Sequence, residues 1–185
     1  MQTEIVISGF GGQGALFAGQ LLAYAGLDAG RHVTWIPSYG PEMRGGTAHC
    51  TVIISNEEIG SPLVRRPRAV IALNMPSLDK YEPLVAPGGV LVINSSLTTR
   101  APERRDIQAL PIPASAIADE LGDARLANMV LVGALVEATG VLPMAALDKA
   151  LEAHGPARHR DLLPANRQAL RRGAALVQAV SILAV

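Results

Sequence analysis

A short apolar run that stops in glycines and restarts as a helix sets the strongest limit on how this chain folds. Ile5-Val6-Ile7-Ser8 leads into Gly9-Phe10-Gly11-Gly12-Gln13-Gly14, after which residues 15–29 read as a helix. Residues 4–8 make the strand. The helix carries Leu16, Ala23 and Leu27 along one stripe with Leu22, Ala25 and Ala29 beside it, and Gly30 is a natural stop. A second strand, residues 32–36, ends at Pro37 and completes a βαβ opening, which predicts a parallel sheet. The glycine turn leaves backbone N–H groups free at a helix N-terminus, a ready site for an anion.

Ser38-Tyr39-Gly40-Pro41-Glu42-Met43-Arg44-Gly45-Gly46 follows as a second glycine-rich loop. It starts just past the carboxyl end of the second strand, where open α/β sheets bind ligands, so both glycine loops are expected to share one edge. Arg44 is suited to clamp a carboxylate or phosphate with its planar fork; pairing with Glu42 is the plainer use of the same charge.

Beyond the loop, residues 47–55 alternate as a strand. Ala48, Cys50, Val52 and Ile54 point one way, and Thr47, His49, Thr51 and Ser55 the other. Asn56-Glu57-Glu58 reads as a turn, with residues 59–64 pairing back as a hairpin. Arg65-Arg66-Pro67-Arg68 leads into a buried-looking strand at 69–73. Ser77 is expected to cap a helix over 78–85, and strands follow at 90–94 and 107–112. Residues 115–121, 126–138, 144–154 and 165–183 then read as helices. In the last of these, Leu170, Ala174 and Val177 face away from Arg167, Arg171 and Gln178. The expected fold is α/β: a Rossmann-like, mostly parallel sheet with flanking helices, one antiparallel hairpin and a helical C-terminal third, in a single domain of residues 1–185.

Charged residues make up 17% of the chain and aromatic residues 3%, against 49% apolar. Charge is thus below the ~25% usual in soluble domains, which points to an exterior partly covered by another chain, although buried parallel strands are also aliphatic-rich. The net charge of zero gives no general attraction to nucleic acid or to an anionic membrane. Cys50, the single cysteine, permits no internal disulfide and no cysteine cluster. Met1-Gln2-Thr3-Glu4 lacks the basic start of a signal peptide, and no run of ~20 apolar residues exists to span a bilayer. A cytoplasmic protein is expected.

Gly9, Gly11 and Gly14 satisfy G-x-G-x-x-G in the strand-to-helix setting that a dinucleotide site requires. The acid such a site places ~20 residues on, at the end of the second strand, is missing; Ile36-Pro37-Ser38 stands there instead. A nicotinamide or flavin site is therefore disfavoured, and with no Lys-Ser/Thr after the glycines a Walker-type loop is excluded. Tight helix–strand packing explains these glycines as well as anion binding does. His49 reads as a structural or surface histidine and Cys50 as a small buried hydrophobe. His154, His159, Arg158 and Arg160 cluster around Gly155-Pro156 without the spacing of a metal site. Asn74, directly after a buried strand, is a polar contact at the sheet edge. Arg65, Arg66 and Arg68 are either a solvated turn or a rim that meets an acidic partner.

Through Gly9-Phe10-Gly11-Gly12-Gln13-Gly14 and the segment from Ser38 to Gly46, the chain resembles the gamma subunit of 2-oxoacid:ferredoxin oxidoreductases. The resemblance continues through Ile59-Gly60-Ser61-Pro62, Ala72-Leu73-Asn74, the Tyr81 helix, Gly88-Gly89 and the helix with Asn128-Met129 and Gly133. Within that family it looks most similar to the 2-oxoglutarate or ketoisovalerate type. The resemblance implies oxidative decarboxylation of a 2-oxoacid to an acyl-coenzyme A, with electrons leaving through iron–sulfur clusters to ferredoxin. It implies alpha and beta partners, with a ferredoxin-like delta subunit as a further candidate. Thiamine diphosphate, magnesium and the clusters are expected in those partners and coenzyme A as co-substrate, with no cofactor held by this chain alone. Gly122-Asp123-Ala124 is its nearest approach to a Gly-Asp-Gly magnesium-diphosphate motif and departs at the third place. The candidate contacts for an anionic ligand, the coenzyme A phosphates foremost, are Gly9, Gly11, Gly12, Gln13, Gly14, Ser38, Tyr39, Gly40, Glu42, Arg44, Gly45, Gly46 and Asn74, with Gly11, Gly12 and Gly14 as backbone donors. A stand-alone nucleotide- or anion-binding regulatory module is the alternative reading, and self-association of the isolated chain is left open.

Overall fold

The computed structural model describes residues 1–40, 46–155 and 161–183. Its described strands form one six-stranded sheet in the order β2-β3-β1-β4-β5-β6. They are β1 (Gln2–Phe10), β2 (His32–Tyr39), β3 (Thr47–Ser55), β4 (Ala69–Ala72), β5 (Val90–Asn94) and β6 (Gln108–Ile112). The helices are α1 (Ala15–Asp28), α2 (Met75–Tyr81), α3 (Ala114–Glu120), α4 (Ala127–Thr139), α5 (Met144–His154) and α6 (Leu163–Leu183). The α/β reading with a helical C-terminal third is borne out.

The sheet departs from the expected order at one strand. β1 and β2 do not pair; β3 lies between them and runs antiparallel to both. The hairpin is therefore β2–β3, closed where the Gly40 amide donates to the Thr47 carbonyl at 2.7 Å. Residues 59–64, expected to pair back on β3, form no strand. The connection between β2 and β3 is too short for the crossover that a parallel pair needs, so the two strands must reverse. From β1 onward, β4, β5 and β6 add in parallel, with Ile5 opposite Ala69 and Val90 opposite Gln108.

The alternation read in β3 holds. Cys50, Val52 and Ile54 are buried against α1, while His49 and Thr51 are only half covered. The main core lies on that face, where α1 and α4 pack on the sheet and α3, α5 and α6 pack around them. A smaller cluster on the other face gathers Val6, Val70, Leu78, Tyr81 and Leu91 beneath α2. In α1 the expected stripe is rotated: Leu27 is 53% exposed, and Ala18, Leu21, Leu22 and Ala25 take the core side. Small residues let this helix lie close to the sheet.

α4 is buried on nearly every side and is crossed by α6 at close range. A Cβ on Gly133 would collide with the Leu170 carbonyl, and one on Gly173 with the Val130 carbonyl. The two glycines are thus reciprocal notches that let the helix backbones touch. Leu170, Ala174 and Val177 line the buried face of α6 as its periodicity predicts.

Ser77 does not cap α2. Asn74 does, its Oδ1 accepting the Ser77 amide at 3.0 Å, with Pro76 in the first turn. This helix begins earlier than its apolar pattern suggests and gives way at Glu82 to a 3-10 turn. Asparagine is among the best N-cap residues because its short carbonyl reaches an orphan amide.

Candidate functional site

The glycine turn sits at the carboxyl edge of β1 and is held open by three amide side chains. Gln13 Oε1 accepts the Phe10 amide at 2.7 Å and Asn74 Nδ2 at 2.9 Å. One side chain thereby ties the turn after β1 to the cap of α2. Ser77 Oγ donates to Ser8 Oγ at 3.0 Å beneath this contact. On the far side, Asn128 of α4 donates through Nδ2 to the Gly14 carbonyl at 3.1 Å. Gly14 has φ +78°, and a Cβ there would strike the Asn128 amide. Both demands exclude any other residue without strain.

The two glycine segments meet, as the shared-edge argument requires. The Gly11 amide donates to the Gly46 carbonyl at 2.8 Å, and the Gln13 amide to the Phe10 carbonyl at 3.1 Å. The Gly11 N–H, expected as a free donor, is thus spent in closing the turn onto the second loop. The Gly12 and Gly14 amides have no hydrogen-bond acceptor among the described residues, which leaves two donors open at the start of α1.

A cleft of about 220 Å³ opens beside the turn, bounded by Gly12, Gln13, Leu73, Asn94, Ser115 and Arg125. Asn94 ends β5 as Asn74 follows β4, so both asparagines stand at the carboxyl edge of buried strands. Asn94 Nδ2 donates to Ser115 Oγ at 3.0 Å, and its Oδ1 accepts the Ser96 amide at 3.3 Å. Arg125 is forked onto Asp123, with contacts of 2.6 to 3.1 Å. The hydrogen bonds from Arg125 hold the Asp123 carboxyl below its ordinary range. The cleft therefore offers the Gly12 N–H, amide and hydroxyl dipoles, and one cation already balanced by an acid, in a lining that also includes Leu73, Leu97, Ala124 and Ala127.

Asn128 Oδ1 is buried and has no hydrogen-bond partner. An unpaired acceptor of this kind is costly unless a donor reaches it. Sequence reasoning gave Asn128, Asn94, Ser115 and Arg125 no role in the site. Asn94 was findable, because Ile93-Asn94 repeats the pattern of Leu73-Asn74; Asn128 is a polar residue in the first turn of a helix that is apolar from Met129 to Val136. Ser115 and Arg125 reach the cleft only through the packing of α3 and the 3-10 turn at Ala124–Leu126.

The other expected contacts divide. Gly9, Gly12, Gln13, Gly14 and Asn74 come together at the turn, and Gly46 joins through Gly11. Ser38 and Tyr39 belong to the end of β2 rather than to a loop, and Tyr39 is 73% exposed. Gly40 closes the β2–β3 hairpin. Glu42, Arg44 and Gly45 lie outside the described residues, as do Arg158, His159 and Arg160.

Away from the site, His49 packs against Tyr81 with ring centroids 6.0 Å apart. Burial first and Lys80 second hold its pKa below the ordinary histidine value. His154 stacks on Tyr24 and meets Asp28 at 2.9 Å. Cys50 is fully buried, and burial pushes its thiol up to about 11. Among the described residues no group of three or more His, Cys, Asp or Glu could hold a metal ion, and no helix is long and apolar enough to cross a membrane.

Comparison with known proteins places this geometry in a family. Residues 4–176 match the pyruvate ferredoxin/flavodoxin oxidoreductase family. The ketoisovalerate oxidoreductase subunit VorA of Methanothermobacter thermautotrophicus is 45% identical over 73% of this chain, which spans 28% of that longer protein. The 2-oxoglutarate synthase subunit KorC of Methanothermobacter marburgensis is 38% identical, covering 82% of this chain and 86% of the relative. The crystal structure of the keto/oxoacid ferredoxin oxidoreductase gamma subunit from Geobacter sulfurreducens aligns with a TM-score of 0.80 at 34% identity, over 96% of this chain and 99% of that one. The 2-oxoglutarate:ferredoxin oxidoreductase of Magnetococcus marinus, solved with 2-oxoglutarate, coenzyme A and succinyl-CoA bound, aligns with a TM-score of 0.86 at 27% identity, over 96% of this chain and 31% of that one. By the match along residues 4–176 and the fold shared with these subunits, the chain belongs to the pyruvate ferredoxin/flavodoxin oxidoreductase family.

Proposed function

We propose that residues 1–185 act as a single gamma-type domain in a thiamine diphosphate-dependent 2-oxoacid:ferredoxin oxidoreductase, which converts a 2-oxoacid to an acyl-coenzyme A and passes the electrons to ferredoxin. The observation that carries this reading is the near end-to-end likeness to the Geobacter sulfurreducens gamma subunit. Alpha and beta subunits are its partners, with a ferredoxin-like delta subunit where the complex has one.

In this reading, thiamine diphosphate with its magnesium and the iron–sulfur clusters belong to the partner chains. Clusters are normally held by several thiolates, and the one cysteine here is buried with a thiol that stays protonated at neutral pH. What this chain offers is a cleft at the strand carboxyl ends, apolar over most of its lining and edged by amide and hydroxyl groups. The Gly12 and Gly14 amides suit an anionic group, and the Asn128 carbonyl suits a donor. Coenzyme A is the co-substrate that combines phosphates with amide N–H groups. Arg44 adds the positive charge in this proposal, while apolar surface and low charge favour a permanent interface with the larger subunits.

Affinity purification of the tagged chain from cell extract tests the assignment. The expected result is co-elution of two larger chains with thiamine diphosphate and iron, and coenzyme A-dependent oxidation of a 2-oxoacid. A single cofactor-free chain that instead binds a nucleotide would overturn it. In the assembled enzyme, Arg44→Ala is expected to raise the apparent KM for coenzyme A about tenfold with assembly intact, the cost of one lost charge-assisted contact. Loss of assembly would make the loop an interface element and remove the ligand role.

A further inference from the structure

The edge of the sheet opposite the glycine turn carries a concentration of unpaired arginine. Elsewhere among the described residues, each arginine side chain holds a carboxylate or an amide oxygen. Arg65, Arg66, Arg68 and Arg105 hold neither, and all four are exposed.

Backbone hydrogen bonds bring these residues to one place. The Ala86 amide donates to the Pro67 carbonyl at 2.9 Å and the Val90 amide to the Arg68 carbonyl at 2.9 Å. The same turn reaches the other arginine segment, the Gly88 amide donating to the Asp106 carbonyl at 2.7 Å. Both arginine segments thus flank the turn at 86–90, at the amino ends of β4, β5 and β6. Pro67 is buried between exposed neighbours, so an ordered backbone presents the guanidinium groups. Arg104 takes Asp106 as its own partner. Leu63, two residues before Arg65, is 81% exposed.

Four like charges at one edge of the sheet are unfavourable in the free chain and become favourable when carboxylates approach. Arginine forks match carboxylates bidentately, and arginine is enriched among the residues that dominate protein–protein contacts. Nucleic acid fits less well: the chain has no net charge, and residues 59–68, 86–90 and 100–107 contain no aromatic ring for base stacking. A lipid surface fits less well too, because these are turns and strand starts rather than an amphipathic helix.

We propose that this edge docks an acidic segment of a partner polypeptide, with Arg65, Arg66, Arg68 and Arg105 holding its carboxylates. The site is independent of the glycine-turn cleft, since it lies at the other end of the parallel strands.

The test measures binding of a ten-residue polyglutamate peptide to the full chain by fluorescence anisotropy at low and moderate salt. Arg65→Gln/Arg66→Gln/Arg68→Gln is compared with a charge-matched control on α5 and α6, Lys149→Gln/Arg171→Gln/Arg172→Gln. The expected result is salt-sensitive binding that weakens about tenfold or more in the edge variant and changes about twofold or less in the control. Equal weakening in both variants, or no binding by the parent chain, overturns the proposal. Binding of phosphatidylglycerol vesicles or of a short DNA duplex in preference to the peptide also overturns it. Circular dichroism and urea unfolding confirm that both variants fold, so a lost contact is distinguished from a lost structure.

Discussion

The Gly11 amide and the Gly46 carbonyl are joined by a 2.8 Å hydrogen bond. Through it the turn between β1 and α1 and the end of the β2–β3 connection become one structural unit. A substitution in either loop is therefore felt by the other. The bond also explains why a glycine turn in the strand-to-helix setting of a dinucleotide site differs from one: a central N–H is committed to the neighbouring hairpin and is not available to a pyrophosphate.

Asn74 and Gln13 should behave as a coupled pair. Asn74→Ala removes both the α2 cap and the hydrogen bond to Gln13, at an expected cost of about 1–2 kcal/mol. Gln13→Ala leaves the Phe10 amide without its acceptor, at a similar cost. The double variant is expected to lose less than the two together, because the Gln13–Asn74 bond is counted in each single change. Urea unfolding of the three variants reads the difference, and strict additivity would show that the bond carries no coupling.

Gly173→Ala is expected to destabilise the fold by about 1–3 kcal/mol or more, since its new methyl group meets the Val130 carbonyl on α4, which has little room to move. Gly60→Ala has open space around its Cβ position and is expected to stay within about 0.5 kcal/mol of the parent. Equal stability of the two variants would mean that α4 and α6 separate at no cost.

Glu82 governs part of the acid response. Burial pushes its carboxyl pKa up, but the Arg104 amide, the Arg100 guanidinium at 2.7 Å and the Glu103 amide together bring it below the ordinary value. A carboxylate with a depressed folded-state pKa contributes stability that is fully present above the unfolded value of about 4.3. That contribution is lost as pH falls through the lower folded-state pKa. Glu82→Gln should therefore cost about 1–3 kcal/mol near neutral pH, and the gap to the parent should narrow as the pH falls below the ordinary carboxylate value of about 4.3. A gap that is constant with pH would show that the ionised carboxylate is not what secures the segment around Arg100 and Arg104.

Cys50 should be inert to thiol reagents in the folded chain. Its sulfur faces the Ala15 carbonyl at 3.4 Å and its pKa is pushed up to about 11 by burial, so almost no thiolate exists at about pH 8. Ellman's reagent should react only after urea unfolding. Rapid modification of the native protein would place this strand nearer to solvent than its packing indicates.

Much of the fold was legible because its signals are local. The strand–glycine–helix opening, β5 and α5 follow from apolar periodicity and from residues that end or begin elements. The buried face of α6 follows from the spacing of Leu170, Ala174 and Val177 in the same way. The misplaced hairpin shows where such signals stop. Residues 59–64 looked able to pair with β3, yet β2 was the partner, because strand pairing is settled by which edges are free in the assembled sheet. Ser77 looked like a cap one turn too late, since Asn74 had the same chemistry and the earlier position.

By itself the sequence determined that β1 must break into a turn at its glycines, that a helix must follow, and that an anion site could form at that helix start. These depend on residue-level conformational limits and on backbone groups left unpaired at a helix end. Only the tertiary structure decided that Gly11 is closed off by Gly46, and that Gln13, Asn74 and Asn128 wall the turn. It also decided that Asn94, Ser115 and Arg125 border the cleft, and that Arg105 joins Arg65, Arg66 and Arg68 at the opposite edge. Those residues come from separate elements, and no local pattern records their meeting; they are brought together by strand order and by the close crossing of α4 and α6.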